Sequence, residues 1–142
     1  MLSKRKTIVA CSTPPGRGAI STVRLSGKRA VNIVQKITRR KLKKKSCVLE
    51  FPLDKGLKEK CVLTIFRSPN SYTGENVVEI STHGNPLIVE KVIQQCVNAG
   101  AFIAEPGEFT LRAYLNNKLS IDQSEAVIAV SYTHLTLPTN GC

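Results

Sequence analysis

Hydrophobic and polar positions in the first part of the chain predict two strands and a helix. Thr7 to Cys11 and Ile20 to Leu25 are apolar and β-branched, and the prolines and glycines between them exclude regular structure there. After Gly27, apolar residues recur at helical spacing, which predicts a helix with one buried face. The residues of that face are Ala30, Val31, Ile33, Val34 and Ile37.

A hairpin and a further strand are predicted in the middle of the chain. Cys47 to Leu53 and Cys61 to Phe66 have the apolar, β-branched composition of strands, and a polar turn over Asp54 to Lys60 joins them. A loop rich in Pro, Ser, Asn and Gly, from Ser68 to Glu75, leads into a strand over Asn76 to Ser81. Functional residues are often found on such loops.

The most regular helix is predicted after the break at His83-Gly84. Asn85 suits the N-cap, and Pro86 suits the first helical position. The apolar stripe that follows ends near Gly100. Its members are Ile88, Val89, Val92, Ile93, Cys96 and Val97.

Short elements complete the pattern. Phe102 to Ala104 predicts a strand, and Glu108 to Asn116 a short helix with its acid at the favourable N-terminal end. Ser120 and Gln123 form a capping-box pattern that opens another helix, through Val127. Because strands and helices do not alternate regularly, the order predicts an α+β fold, a mixed β-sheet with helices packed on it.

Composition limits the class of protein. The chain has 142 residues, 42% of them hydrophobic, which is enough for one compact domain. No apolar run approaches the ~18 residues of a membrane span, and the first residues lack the apolar stretch of a signal peptide. We therefore expect a soluble, cytoplasmic protein without a membrane partner. The five cysteines form no CxxC pair, so neither a zinc site nor a disulfide is expected.

Charge is concentrated in the first half of the chain. The net charge of the whole chain is +11. Residues 1–60 hold 17 Lys and Arg against 3 Asp and Glu. The densest part is Arg39, Arg40, Lys41, Lys43, Lys44 and Lys45. This cluster could attract RNA phosphate, or it could be a solvated loop after a helix. The second interpretation is favoured, because no aromatic residues interleave with the charges to stack bases.

Common catalytic motifs are absent from the sequence. There is no GxxxxGK[ST] phosphate loop, and Gly16-Arg17-Gly18 lacks the third glycine of a dinucleotide fingerprint. The chain is therefore not expected to bind GTP, ATP or NAD. His83 and His134 are the only histidines and no GxSxG elbow is present, which argues against a hydrolase.

Two charged residues interrupt apolar strands and are the candidates for chemistry. Arg24 and Glu79 each lie between apolar neighbours, so strand alternation turns each away from them. Both could face solvent or form an ordinary ion pair across the sheet. Alternatively, they line a cleft, where a carboxylate accepts hydrogen bonds from an amino-substituted heterocycle and a guanidinium holds a carbonyl or carboxylate.

Several motifs resemble, in order, those of the MnmE (TrmE) family of tRNA modification GTPases. The resemblance covers about residues 7–128. The motifs are Thr7-Ile8-Val9-Ala10, Thr13-Pro14-Pro15-Gly16-Arg17-Gly18-Ala19-Ile20, Val23-Arg24-Leu25-Ser26-Gly27, Pro69-Asn70-Ser71-Tyr72-Thr73-Gly74-Glu75, Val78-Glu79-Ile80, His83-Gly84, Glu105-Pro106-Gly107-Glu108-Phe109-Thr110 and Arg112-Ala113-Tyr114-Leu115-Asn116-Asn117-Lys118-Leu119.

The resemblance implies an N-terminal domain that binds formyl-tetrahydrofolate and forms a homodimer. In that family a helical domain with an inserted GTPase domain follows, and with an MnmG-type partner the protein modifies position 5 of the wobble uridine of tRNA. GTP, Mg and K are expected only for the GTPase domain, which this sequence lacks, so the chain alone is not expected to hydrolyse GTP. Residues 1–119 are predicted to form the folate-binding and dimerisation domain, and 120–129 the start of the helical domain.

The family's folate contacts would fall on Arg24, Glu79 and Lys118. By hydrogen-bonding capacity, Glu79 would receive the amino and ring N–H donors of the pterin, and the two cations would hold its oxygen-bearing or glutamate end. Two alternatives stay open, a folate-dependent protein resembling the aminomethyltransferase of glycine cleavage, and a basic RNA-binding module. Residues 130–142 resemble the translation of a sequencing-library adapter and are expected to be a non-native tail.

Overall fold

Strands form one mixed sheet in the computed structural model, which describes residues 5–14 and 16–129. Within those residues the sheet has six strands in the order β3-β4-β5-β2-β1-β6. Neighbouring strands are antiparallel except β1 and β6, which are parallel. The strands are β1 (Ile8–Cys11), β2 (Ile20–Ser26), β3 (Ser46–Pro52), β4 (Lys58–Phe66), β5 (Val77–His83) and β6 (Phe102–Ile103).

Four helices accompany this sheet in the described part of the chain. Three are α1 (Ala30–Thr38), α2 (Pro86–Asn98) and α3 (Glu108–Leu115), and residues 121–129 are also helical and are called α4. The predicted α+β class, a mixed sheet with helices packed on it, is confirmed.

One face of the sheet carries the hydrophobic core. Helices α1 and α2 pack on it, and side chains at alternate positions of the strands point toward them. On β2, for example, Val23 and Leu25 are fully buried, whereas Arg24 between them points to the other face. Burying apolar area of this kind is the main source of stability in a domain of this size.

Local sequence signals set the ends of the helices. The side chain of Asn85 accepts a hydrogen bond from Leu87 N at 2.9 Å, and Pro86 takes the first helical position of α2, as predicted. Ser120 and Gln123 form the expected capping box, with hydrogen bonds of 2.8 and 3.1 Å between backbone N–H groups and side-chain oxygens.

Two glycines are required by close backbone contacts. A Cβ atom on Gly84 would lie 2.1 Å from the carbonyl oxygen of Gly18, whose N–H donates to the carbonyl of Gly84. A Cβ atom on Gly27 would lie 2.5 Å from Thr7 Oγ1, and the φ of Gly27 is +143°. These contacts hold the loop before β2 against the end of β5, and the end of β2 against the start of β1.

The polar turn predicted over Asp54 to Lys60 is shorter than expected. Strand β4 begins at Lys58, and Glu59 within it is buried, where it accepts hydrogen bonds from the backbone N and the Nδ1 of His83 at 2.9 and 2.7 Å. Strand β5 accordingly continues through His83 instead of ending at Ser81. The extended ends pair with other strands, since Lys58 lies opposite Pro52 of β3 and His83 lies opposite Ile20 of β2. The hydrogen bonds from His83 satisfy the buried carboxylate of Glu59.

Cysteines behave as small hydrophobic residues where they are buried. Cys61 and Cys96 belong to the core, and burial raises the pKa of each thiol to about 12.

In the described residues, no group of three or more His, Cys, Asp or Glu could hold a metal ion, and no helix is long and apolar enough to cross a membrane. The predicted non-native tail, residues 130–142, lies outside the described residues.

Candidate functional site

Arg24 and Glu79 lie directly opposite each other on adjacent strands. Strands β2 and β5 are antiparallel, and their register pairs these two residues. Arg24 Nε and Nη2 both donate to Glu79 Oε2, at 3.0 and 2.9 Å. The side chains are 22% and 26% exposed, so solvent reaches the pair. The sheet thus forms the cross-strand ion pair that one of the two interpretations predicted.

The pair also lies next to aromatic side chains, while its place in a ligand cleft, the other interpretation, stays a prediction. Two aromatic rings lie beside the guanidinium of Arg24, whose carbon is 5.2 Å from the ring centre of Tyr72 and 5.6 Å from that of Phe109. Both distances are within the range of a cation–π contact. Tyr72 belongs to the loop between β4 and β5, residues 67–76, and Phe109 to the first turn of α3. The ion pair therefore has a wall of two flat apolar surfaces.

A buried arginine fastens the loop 67–76 to α3. Arg112 is 3% exposed, and its Nη1 and Nη2 donate to Glu75 Oε1 and Glu108 Oε2 at 3.0 and 3.1 Å. Nη2 also donates to the carbonyl of Lys6 at 2.7 Å. The Ser26 hydroxyl donates to the same Glu75 oxygen at 2.7 Å, which links this group to the end of β2. Charge-assisted hydrogen bonds of this kind fix geometry as well as charge.

Neutral hydrogen bonds complete the attachment of the loop. The Tyr72 hydroxyl and Thr110 Oγ1 are 2.9 Å apart, and Asn116 Nδ2 donates to the carbonyl of Thr73 at 2.7 Å. Thr73 is itself buried and its hydroxyl lies 2.7 Å from the Ser26 hydroxyl. The ring of Tyr72 beside Arg24 is thereby held from both ends, by its hydroxyl and by its backbone neighbour.

Lys118, the third predicted site residue, follows α3 and lies beside Gly74 of the loop 67–76, apart from the pair. Its Cγ would be 3.4 Å from a Cβ atom on Gly74, and its backbone N–H donates to the carbonyl of Ala113 at 2.8 Å. The side chain is exposed. Among the described residues it forms no hydrogen bond or ion pair with Arg24 or Glu79. The structure thus brings two of the three predicted residues together on adjacent strands and places the third beside the loop 67–76, which carries Tyr72.

The ion pair leaves atoms available for a ligand. Both donors of Arg24 share one carboxylate oxygen, and Oε1 of Glu79 accepts no hydrogen bond from the described residues. Arg24 Nη1 likewise has no acceptor among them. A carboxylate oxygen is an acceptor only, and a guanidinium N–H is a donor only. The pair therefore leaves one carboxylate acceptor and one guanidinium donor that no described residue occupies.

Tyr72, Phe109 and Arg112 were not singled out from the sequence. Tyr72 and Phe109 are the only aromatic residues in two otherwise polar loop motifs, and this is the signal that could have marked them. Arg112 gave no such signal, because its position on a short amphipathic helix is equally compatible with an exposed side chain.

Comparison with known proteins identifies similar chains. A family profile described as "GTP-binding protein TrmE N-terminus" matches residues 7–118. The tRNA modification GTPase MnmE of Aquifex aeolicus is 47% identical to this chain over 127 residues, which are 87% of this chain and 28% of the relative. The protein of the same name from Francisella philomiragia is 45% identical over 129 residues, with the same two shares.

The extent of the match differs between the chain and these relatives. The chain spans 28% of the length of the curated relatives described above, and the family profile covers most of the chain. The similarity therefore concerns one domain of longer proteins.

Proposed function

The chain belongs to the TrmE N-terminal domain family, and from that membership we propose that it is the folate-binding and dimerisation domain of a tRNA modification GTPase. The ligand is formyl-tetrahydrofolate, and the site is the groove formed by Arg24, Glu79 and the rings of Tyr72 and Phe109. The observation that carries this proposal is the partly exposed Arg24–Glu79 pair, which has an unoccupied acceptor and donor and lies beside two aromatic rings.

The groups present fit a pterin. One edge of a pterin carries an amino group and a ring N–H next to a carbonyl, which is a donor, donor, acceptor sequence. Glu79 Oε1 is suited to the donors, and the adjacent guanidinium of Arg24 is suited to the carbonyl. The aromatic rings of Tyr72 and Phe109 supply an apolar wall for a flat heterocycle. The folate itself would supply the one-carbon unit for the modification.

Lys118 is proposed to hold the glutamate end of the folate. Because Arg24 is bonded to Glu79, the two must contact neighbouring atoms of a ligand, which favours the ring carbonyl for Arg24. Lys118 is exposed after α3, beside Gly74 of the loop 67–76, and has no acidic partner in the described part of the chain. An ammonium group there is suited to a flexible carboxylate that solvent partly covers.

A second copy of the chain is the proposed partner. On the sheet face that carries Arg24 and Glu79, Val48 of β3 and Val62 of β4 lie opposite each other and are 58% and 40% exposed. Val62 is in turn opposite Ser81 of β5, two residues from Glu79 on the same face. Exposed apolar side chains next to a ligand groove are suited to an interface between copies.

The remaining roles concern the longer protein. GTP, Mg and K belong to its GTPase part, and an MnmG-type partner and tRNA bind the assembled protein in the cytoplasm, where position 5 of the wobble uridine is modified. Of the alternatives, an aminomethyltransferase-like protein gains no support from the relatives described above, which are named tRNA modification GTPases.

Calorimetric titration of formyl-tetrahydrofolate into the whole chain and its variants tests the folate site. Glu79→Ala should lower the affinity about tenfold or more, because ligand donors are left unpaired at roughly 1–3 kcal/mol. Arg24→Lys should also weaken binding, because an ammonium cannot donate from two nitrogens or pack flat between rings. Lys118→Ala should have the smallest effect of the three, since its side chain is exposed.

Lys58→Ala is the matched control. It removes an exposed cation at the far end of β4 and should bind folate like the unaltered chain. Equal affinities for the control and for the Glu79 and Arg24 variants would show that the site is elsewhere. No binding of millimolar folate to the unaltered chain would contradict a working folate site in this domain.

Sedimentation equilibrium at tens of micromolar protein tests the dimer. The unaltered chain should have the mass of a dimer, and Val62→Lys should shift it toward monomer. Leu57→Lys, at a similarly exposed position in the turn before β4, should not. A monomeric mass for the unaltered chain would contradict a dimer held by this domain alone.

A further inference from the structure

A positively charged cavity lies at the opposite end of β4 from the hairpin turn. It has a volume of about 270 Å³ and is bounded by the loop between α1 and β3, residues 39–45, and by the end of β4. Its lining residues are Lys43, Lys44, Lys45, Ile65, Phe66, Arg67 and Asn70. We call this cavity the basic pocket.

The cations of the basic pocket have no acidic partner among the described residues. The ion pairs of the described chain use arginines or lysines at other positions, such as Arg24, Lys91 and Arg112. Lys43, Lys44, Lys45 and Arg67 occur in none of them. Like charges held close together without counter-charges repel one another, and an anion relieves that repulsion.

The loop that carries these lysines is anchored to the core. Leu42 is 5% exposed and belongs to the core, its N–H donates to Gln35 Oε1 at 2.9 Å, and its carbonyl accepts from Arg67 Nη2 at 3.4 Å. The carbonyl of Lys45 accepts from Ile65 N at 2.7 Å. The loop thus buries a leucine and is hydrogen-bonded to α1 at Leu42 and to β4 at Lys45. The backbone that carries the three lysines is therefore fixed before any ligand arrives, while their side chains are exposed.

An aromatic ring is present in the pocket although none interleaves with the lysines in sequence. Phe66 comes from β4, and the Nζ of Lys45 lies 5.5 Å from its ring centre. The solvated-loop interpretation was favoured because no aromatic residue is close to the charges in sequence. In the folded chain, Phe66 lies beside them. Stacking on an aromatic ring combined with a positive groove is the usual way to bind an unpaired nucleic-acid strand.

We propose that the basic pocket binds the sugar-phosphate backbone of an unpaired nucleic-acid strand, with successive phosphates at Lys43, Lys44, Lys45 and Arg67 and a neighbouring base against Phe66. That the natural strand is RNA rests on the proposed function in tRNA modification; the pocket and its charges do not. A concave cavity with cations on its walls is suited to a protruding phosphate. The basic clusters that bind lipid surfaces adjoin a membrane helix or lie on an amphipathic helix, whereas these lysines lie in a loop.

Fluorescence anisotropy with a labelled single-stranded RNA, and with DNA of the same sequence, tests the proposal. With four cations neutralising phosphates at a slope of about −0.7 each, the affinity should fall about 50-fold between about 50 and about 200 mM salt. Lys43→Gln with Lys44→Gln should reduce that fall to about sevenfold, since two of the four contacts are lost. Phe66→Leu keeps an apolar side chain but should still weaken binding about fivefold or more, because the stacking surface is lost.

The matched control removes the same charge elsewhere. Lys58→Gln with Lys60→Gln changes two exposed lysines on β4, about 20 Å from Phe66 along the strand. Equal losses for the pocket and control variants would show that only the net charge of +11 acts, and would overturn the proposal. Binding to phosphatidylserine vesicles without binding to either oligonucleotide would also overturn it. No folate is present in these measurements, so failure here and failure of the folate site are separate results.

Discussion

Charged residues are used in opposite ways in two regions of this domain. Around the loop 67–76 and α3, Arg112 is almost fully buried and bonded to two carboxylates, and Arg24 is bonded to Glu79. In the loop 39–45, six basic residues form no ion pair with any described carboxylate and are exposed. The first region has its counter-charges among the described residues, and the second has none among them.

This difference separates charges that hold the fold from charges available to a partner. Removing one partner of a buried ion pair strongly destabilises a protein, because the remaining charge stays buried without compensation. An exposed, unpaired lysine contributes little to stability, so its removal changes binding alone. Arg24 and Glu79 lie between these limits, since they are paired and yet reached by solvent.

Arg112→Gln should have the largest effect on stability. Removing its charge leaves Glu75 and Glu108 without their buried partner, and we expect the free energy of unfolding to fall by about 3–5 kcal/mol. Urea denaturation followed by circular dichroism measures the change. Arg17→Gln, an exposed arginine, is the control and should stay within about 0.5 kcal/mol of the unaltered chain. Equal stability of both variants would contradict a structural role for Arg112.

Tyr72→Phe should have an intermediate effect. The substitution keeps the ring beside Arg24 and removes only the hydrogen bond between the Tyr72 hydroxyl and Thr110, at a cost of about 0.5–1.5 kcal/mol. Thr110→Val removes the same bond from the other side. In a double-mutant cycle the two changes should be less than additive by a similar amount. Strict additivity would show that the bond does not stabilise the loop.

Lys43→Gln with Lys44→Gln should leave stability within about 0.5 kcal/mol of the unaltered chain, in either direction. The reason is that neither side chain has a partner among the described residues. Thermal and urea unfolding measure this. A loss as large as that of the Arg112 variant would remove the distinction between the two regions.

The smallest effect is expected for an exposed pair, Lys91 with Asp54. Hydrogen bonds from Lys91 lower the pKa of Asp54 below 3.8, so this pair contributes stability above that pH and loses it as the pH falls through the lowered pKa. Lys91→Gln should raise the pKa of Asp54 toward 3.8, as measured by NMR titration of its carboxyl carbon. Lys60→Gln should leave that pKa unchanged. An unchanged value in the Lys91 variant would exclude Lys91 as the cause.

Much of the fold follows from local patterns in the sequence. The strand Ile20–Ser26, the helix Pro86–Asn98 with its cap, and the capping box at Ser120 lie where the residue pattern predicts them, because each depends on neighbours close in sequence. The predicted turn before β4 was too long. A charged residue such as Glu59 is expected to be exposed when only the sequence is known, and its buried position depends on its partner His83. Burial of a charge depends on contacts distant in sequence.

The candidate site was only partly predictable for the same reason. Alternation on two strands indicated that Arg24 and Glu79 leave the core face, but the strand pattern alone could not decide between a solvent-exposed pair and a cleft. The rings beside Arg24 come from a loop and from α3. Phe66 beside the lysines is a similar case. It lies on β4, and the whole of β3 stands between it and the loop 39–45 in the sequence. The role of Lys118 stays a prediction.

The position of β1 within the sheet has a consequence for how the domain folds. Ile8, near the start of the chain, pairs with Phe102, and β2 pairs with β5 across the whole hairpin and α1. Because such distant pairings close long loops before they gain contacts, we expect folding to be slow for a domain of this size, which stopped-flow refolding would measure. During synthesis, the outer edge of β1 stays open until residues 102 and 103 have left the ribosome. A nascent chain is therefore exposed to edge-to-edge association for almost the whole time that the domain is being made.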